Sequence, residues 1–370
     1  MRLTRWLVSA NTEGCCWMAK YQIGIWGQYG DPGTRIADGQ AVRTTIITEE
    51  LKRRYGEEQL CIVNSNRWKK HPFRFLFRCI YMVANSKKII ILPADNGFKV
   101  FVPILMFLNA FFGHELYYVV IGGFLPELLR NKPIYTKLVK RFKALFVQTE
   151  NLRKDLSALG IENIFILSNL KRLNTRRHEE LIENHEQKID VCVFSRINKE
   201  KGIEDAIDAV RKTNDKLGGI YVHLDLYGLV PDTYRDRLDE LMKENSDIAS
   251  YRGIVEYNKT VETLKQYFVL LFPTFYYGEG FPGNLIDAFH SALPIIATDW
   301  MYNKEIVKNG IHGILVPPHD PAALSEAILQ LYNDRALALK YAHNCLNEAR
   351  KYQPDAVLEE LYAFLDDSVK

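Results

Sequence analysis

The sequence predicts an α/β protein built of two doubly wound, Rossmann-like domains that face each other across a cleft. Three observations predict it. Short runs rich in β-branched and aromatic residues alternate with helical patterns from Tyr21 onward, the mark of βαβ units and parallel sheets. A charged stretch, residues 170–188, carries no sustained strand pattern and divides the alternation into two series. At 370 residues the chain has the length of two domains rather than one.

In the first series the expected strands are Tyr21–Trp26, Leu60–Val63, Lys88–Pro93, Glu115–Ile121, Ala144–Gln148 and Ile164–Ser168, with helices between them at Ala41–Tyr55 and Asn151–Gly160. The second series runs Val191–Ser195, Tyr221–Tyr227, Ala249–Arg252, Val269–Pro273, Pro294–Thr298 and Gly313–Val316, followed by an amphipathic helix after Pro321. This places a first domain at 18–170, a linker at 171–188 and a second domain at 189–352. Residues 1–17 read as an N-terminal extension, and 353–370 as a C-terminal helix that crosses back to the first domain, with Val357, Leu358, Leu361, Tyr362 and Leu365 on one side. Ligands of such sheets bind at the carboxyl ends of the strands.

Composition narrows the class. An apolar content of 47% with 25% charged residues suits a globular protein with two cores. The six cysteines, Cys15, Cys16, Cys61, Cys79, Cys192 and Cys345, show no C-x-x-C spacing, and the nine histidines form no metal-binding pattern; neither a disulfide framework nor a metal is expected, and a reducing cytoplasm is the simplest setting. No export signal is read at the start. The longest apolar run, Phe98–Gly113, is interrupted by Lys99, Pro103 and Asn109 and falls short of the roughly 20 residues of a spanning helix, so a buried helix packed on a sheet is expected.

The net charge of +3 hides an asymmetry: 24 bases against 13 acids in residues 1–170, and 24 against 32 in the remainder. A basic first half points to an anionic partner such as a membrane surface or a phosphate-bearing substrate. Its basic residues gather at Lys52-Arg53-Arg54, at Arg67 with Lys69-Lys70, and at Lys140-Arg141 with Lys143. Residues 66–77 interleave bases with aromatic rings, but no nucleic-acid module accompanies them, so contact with lipid headgroups is the expectation and nucleic acid is not.

The segment Thr274–Trp300 holds the densest chemistry. Glu279 emerges at a strand's carboxyl end, followed by Gly280-Phe281-Pro282-Gly283-Asn284 and a helix whose first turns carry Asp287. The glycines admit close backbone approach, Pro282 fixes φ, and the helix amino end offers N–H groups to an anion such as a diphosphate. Two carboxylates on one side of this unit can each grip a pair of sugar hydroxyls.

This segment resembles the E-x7-E motif of retaining glycosyltransferase family 4 through Glu279-Gly280-Phe281-Pro282 and Leu293-Pro294-Ile295-Ile296-Ala297-Thr298. The likeness extends to Phe194-Ser195-Arg196, to Glu200-Lys201-Gly202-Ile203, and to Asn303-Lys304-Glu305-Ile306-Val307 with Gly310 and Gly313. It implies the GT-B architecture, an acceptor-binding first domain and a nucleotide-sugar-binding second domain. It also implies that Arg196 and Lys201 clamp the phosphates without a metal, that Glu279 holds the donor sugar, and that Asp287 holds the ribose. Asp287 replaces the family's usual second Glu, which shortens its reach by about 1.5 Å. Tyr251–Tyr257, with Val255 and Tyr257, looks like the base-binding loop.

In the first domain Gly24, Gly27, Gly30 and Gly33 form a glycine-rich turn after the first strand, comparable to the family's loop beside a phosphate or acceptor. Its spacing is not that of a nicotinamide-binding fingerprint. Where many members of the family carry a histidine near the end of the fourth strand, this chain has Gly122-Gly123; Asp95 is the alternative polar group at a strand's carboxyl edge. The implied activity is transfer of a hexose-type sugar from a UDP- or GDP-linked donor to a saccharide or lipid-linked saccharide acceptor in surface polysaccharide or glycan biosynthesis. The setting is the cytoplasm, at the inner face of the cell membrane, and no cofactor is needed. A nucleotide-sugar epimerase or phosphorylase on the same fold, and a non-catalytic sugar-nucleotide-binding subunit, stand as alternatives.

Overall fold

The computed structural model describes residues 19–30 and 39–367. The N-terminal extension, with Cys15 and Cys16, lies outside the described residues, as does Gly33. The first domain contains β1 (Tyr21–Gly27), β2 (Leu60–Asn64), β3 (Ser86–Leu92), β4 (Glu115–Val119), β5 (Ala144–Val147) and β6 (Ile164–Ile166). They form one parallel sheet in the order β2-β1-β3-β4-β5-β6. The second domain contains β7 (Ile189–Phe194), β8 (Val222–Tyr227), β9 (Ala249–Gly253), β10 (Val269–Phe272), β11 (Ile295–Thr298) and β12 (Gly313–Val316), also parallel, in the order β12-β11-β10-β7-β8-β9. Every strand expected from the sequence is present within about three residues of its expected ends.

Helices cover both faces of each sheet, which is why the strands read as continuous apolar runs. In the first domain Trp26, Ile89, Ile91, Tyr118 and Leu145 pack on the helices Pro72–Asn85 and Asp95–Asn109. The alternate residues Ile23, Ile25, Ile90, Leu92, Tyr117 and Phe146 pack on the helix Gly39–Tyr55. The chain leaves β4 earlier than expected because it turns through Gly122, at φ 80°.

The apolar run at 98–113 forms the helix Asp95–Asn109, with Phe98, Phe101, Val102 and Leu105 in the core. Phe107, Phe111 and Phe112 point away from it and are exposed, so the expectation of a wholly buried segment holds only for one side. The C-terminal stretch forms two short helices, Pro354–Val357 and Glu359–Leu365, instead of one. Both lie on the first domain, where the Phe364 ring sits 6.1, 5.6 and 4.6 Å from those of Tyr117, Phe146 and Phe165. The Lys88 ammonium donates to the carbonyls of Phe364 and Leu365 at 2.9 Å.

The docking of that last helix is therefore part of the first domain's core. Phe364→Ala is expected to cost about 3–5 kcal/mol, the range for emptying a buried aromatic site, read as a lower urea midpoint for unfolding of the first domain.

Candidate functional site

β10 delivers Pro273 and Thr274 to the carboxyl edge of the second sheet, and the loop beyond carries Glu279, 6% exposed. The Lys201 ammonium is in contact with Oε1 of Glu279, and the Thr274 hydroxyl donates to the same oxygen at 3.2 Å. Lys201 reaches this point because the turn that carries it is pressed against β10. The Asn198 side chain accepts from the Lys201 N–H, and Gly202, at φ 72°, stands where a Cβ would fall 2.1 Å from the carbonyl oxygen of Pro273. Only glycine fits that turn. Burial, and then the like charge of Arg196, push the Lys201 ammonium down to about 7, with the Glu200 carboxylate opposing them. Arg196 itself lies on the exposed turn after β7.

The helix Gly283–His290 begins beside this pair, with Pro282 ahead of it. The Asn284 side chain donates to the Phe194 carbonyl at 2.8 Å, which ties the helix's first turn to the end of β7 and hence to Arg196. Asp287 is 1% exposed, and the Lys171 ammonium lies 2.6 Å from each of its carboxylate oxygens. Burial raises the Asp287 carboxyl while Lys171 counters it. The Lys171 chain passes over Gly283, where an added Cβ would meet its Cε at 3.2 Å, and its ammonium stands 5.6 Å from the ring centroid of Tyr257. Lys171 thus lies across the amino end of the helix, between Asp287 and the Tyr257 loop.

The first domain grips the same loop from the other side. The backbone at Gly280 passes so near Gly122 that a Cβ on Gly280 would sit 2.9 Å from its Cα, and a Cβ on Gly123 would meet the Glu279 carbonyl oxygen at 3.1 Å. Gln148 accepts from the Phe281 N–H at 3.2 Å, and Asn169 donates to the Phe281 carbonyl at 2.9 Å. Glu305 reaches across to the amino end of the helix Glu150–Ser157, where it accepts from the N–H groups of Glu150 and Asn151.

The structure thus gathers Glu279, Arg196, Lys201, Gly280, Phe281, Pro282, Gly283, Asn284, Asp287 and Tyr257 around one edge of the second sheet, with Val255 half-buried in the loop after β9. Gly27 closes β1 against Thr44, and Gly30 follows it beside Tyr29, whose hydroxyl meets that of Thr48 at 2.8 Å. Asp95 is not in a loop: it opens the helix Asp95–Asn109 and pairs with Lys99 at 2.7 Å. Among the described residues no contact joins these three to Glu279. Sequence reasoning missed Lys171, Thr274, Gln148 and Asn169; the Gly122-Gly123 pair was the one local sign that another backbone comes close.

Residues 188–334 match the family model of glycosyl transferases group 1. The fold is the GT-B one: the chain matches the crystal structure of Anabaena HepE in complex with UDP at a TM-score of 0.72 and 15% identity, over 94% of this chain and 100% of that one. It is 29% identical, over 50% of its length and 36% of the relative's, to the UDP-N-acetylglucosamine–peptide N-acetylglucosaminyltransferase GtfA subunit of Streptococcus agalactiae. It is 24% identical, over 82% of its length and 73% of the relative's, to the N,N'-diacetylbacillosaminyl-diphospho-undecaprenol α-1,3-N-acetylgalactosaminyltransferase of Campylobacter jejuni. The chain spans 10%, 36% and 43% of three of the curated relatives it matches, less than half of each.

Removing the Lys171 cation strands a buried carboxylate. Lys171→Met is expected to destabilise the protein by about 3–5 kcal/mol, whereas Lys171→Met combined with Asp287→Leu restores most of that loss; chemical denaturation of the two variants and the wild type checks both.

Proposed function

We propose that the chain is a retaining, metal-independent glycosyltransferase that moves a hexose-type sugar from a UDP- or GDP-linked donor to a saccharide or lipid-linked saccharide, in surface polysaccharide or glycan biosynthesis at the cytoplasmic side of a membrane. The observation that carries this reading is the buried Lys201–Glu279 pair beside the exposed Arg196 and the amino end of the helix Gly283–His290. The match to glycosyl transferases group 1 supports it. So do the UDP in the HepE complex and the undecaprenol-linked acceptor in the name of the Campylobacter relative.

The residues divide the work by charge. When the bond between C1 of the sugar and the diphosphate oxygen breaks, its electron pair goes to the leaving diphosphate. Arg196, Lys201 and the N–H groups at the helix start are already in place to receive that charge. The acceptor hydroxyl attacks C1 from the face the diphosphate leaves, and its proton passes to the departing phosphate oxygen; the configuration at C1 is kept. Both contacts of Glu279 fall on Oε1, and its other oxygen accepts from the sugar hydroxyls. Asp287 acts on the ribose side through Lys171, with Tyr257 and Val255 lining the base. Cations of the chain take the place a divalent ion holds in other transferases.

Glu279→Gln is expected to lower turnover at least roughly tenfold, about 1.4 kcal/mol, because a neutral amide is a weaker partner both for the sugar hydroxyls and for Lys201. Sugar transfer by the wild type, followed as acceptor-dependent release of nucleoside diphosphate, continues in excess EDTA. Unchanged turnover in a folded Glu279→Gln protein removes Glu279 from the site, and activity lost to EDTA and restored by Mg²⁺ or Mn²⁺ overturns the metal-independent reading. Product formed without any acceptor points instead to an epimerase or a hydrolase.

A further inference from the structure

The helix Pro72–Asn85 is apolar on two sides. Phe75, Cys79, Met82 and Val83 face the core. Phe73, Leu76, Phe77, Ile80 and Tyr81, at the i, i+3, i+4, i+7 and i+8 spacing of a second helical stripe, face outward, Phe73 78% and Phe77 71% exposed. A helix that is apolar on both sides is ordinarily buried on both. The adjoining helix Asp95–Asn109 packs alongside it and ends in another exposed apolar group. There the rings of Phe107 and Phe111 meet at 5.5 Å, and Phe112 precedes His114, whose ring approaches the Val83 backbone at the end of the first helix. Eight large apolar side chains thus form one outward face of the first domain, more than scattered surface hydrophobes would supply.

The charge around this face has one sign. Residues 59–94 contain no Asp or Glu and seven Lys or Arg. Arg74 and Arg78 flank the aromatic stripe on the same helix, and Lys69 and Lys70 are exposed in the turn just before it. The basic cluster Lys52-Arg53-Arg54, read from the sequence as part of a lipid-facing surface, does not belong to it. It lies on the helix over the opposite face of the sheet, where Lys52 pairs with Glu49 and Glu57, Arg53 with Glu50 and Arg54 with Asp366.

We propose that this face is a membrane-docking surface: the helix Pro72–Asn85 lies in the headgroup region of an anionic bilayer, with Phe73, Phe77, Phe107, Phe111 and Phe112 entering the acyl boundary and Arg74, Arg78, Lys69 and Lys70 meeting the lipid phosphates. An aromatic stripe bordered by bases suits that layer, where rings are buried and the long basic side chains extend to the phosphates. The helix starts at the carboxyl edge of the sheet, the edge on which the cleft opens, so docking sets the cleft beside the bilayer surface. The proposal rests on the membrane-side acceptor of the proposed function only for its purpose, because docking needs no sugar.

The test is co-sedimentation of the full chain with phosphatidylcholine vesicles, with and without one part in three of phosphatidylglycerol, at low and high salt. The wild type pellets with the anionic vesicles and keeps part of its binding at high salt, since apolar contact is not screened. Phe73→Ser with Phe77→Ser and Phe111→Ser lowers partitioning at least about tenfold at either salt, given the apolar area each ring contributes. Arg74→Gln with Arg78→Gln weakens only the binding to anionic vesicles. All these side chains are exposed, so nucleotide binding and circular dichroism stay as in the wild type. A wild type that never pellets, or a serine variant that binds as well as the wild type, overturns the proposal. So does light scattering in which the wild type is a dimer and the serine variant a monomer, because the face then belongs to a second copy of the chain. Loss of docking with sugar transfer to a soluble acceptor intact separates this proposal from the proposed function.

Discussion

A Cβ on Gly280 would fall 2.9 Å from the Cα of Gly122, and a Cβ on Gly123 would fall 3.1 Å from the Glu279 carbonyl oxygen, so the two backbones meet with glycine on each side. That close approach sets the distance between the two sheets at the bottom of the cleft, and the remaining contacts follow from it. Gln148 and Asn169 can hold the N–H and carbonyl of Phe281 only while the loop lies this close, and Glu305 can reach the helix Glu150–Ser157 only from the same position. Glu279 projects from a loop held on both sides, so its carboxylate is placed before any ligand arrives. Preplacement of this kind lets a fixed charge stabilise a transition state without reorganising at the moment of reaction. Gly122 and Gly123, beyond β4, stand where a histidine was expected from the family resemblance, and at Gly123 a side chain would meet the Glu279 carbonyl and Tyr302.

The crossing between domains is part of the site. Lys171 pairs with Asp287 and carries positive charge to the amino end of the helix Gly283–His290. The next residue, Arg172, forms a two-point pair with Glu50 of the first domain and also reaches Asp355. Arg43, fully buried in the same helix as Glu50, donates to the carbonyl of Leu167 at 2.6 Å. The segment that joins the domains is thereby fastened to the helix Gly39–Tyr55 on one side and to the helix Gly283–His290 on the other.

The strands were legible in the sequence because parallel strands buried on both faces leave long apolar runs that turn residues interrupt, and Tyr21–Gly27 or Val269–Phe272 could hardly be read otherwise. Glu279, Arg196 and Lys201 were legible because each sits in a short local pattern at a strand's end. Lys171, Gln148 and Asn169 were not, since their roles arise only when segments more than a hundred residues apart in sequence meet, and a charged stretch such as 170–188 has the composition of a solvated linker. The bases and rings of residues 66–77 were read as lipid-facing, but the continuation of that stripe through Ile80 and Tyr81 and the ring cluster after Leu105 were hidden for another reason: periodicity records that residues are apolar but not whether protein or another medium covers them. Asp95 read as a polar group at a strand's carboxyl edge, whereas packing of Phe98 and Phe101 places it in the first turn of a helix.

The central claim is that the loop held between the domains, with Arg196, Lys201 and the amino end of the helix Gly283–His290, is where a nucleoside diphosphate binds. Crystals of the full chain grown with UDP and with GDP test it directly. The account predicts a diphosphate at Gly283 within hydrogen-bond reach of Arg196 and Lys201, with the ribose toward Lys171 and the base toward Tyr257. A nucleotide seated instead at the glycine-rich turn after β1, with Arg196 and Lys201 untouched, would contradict it.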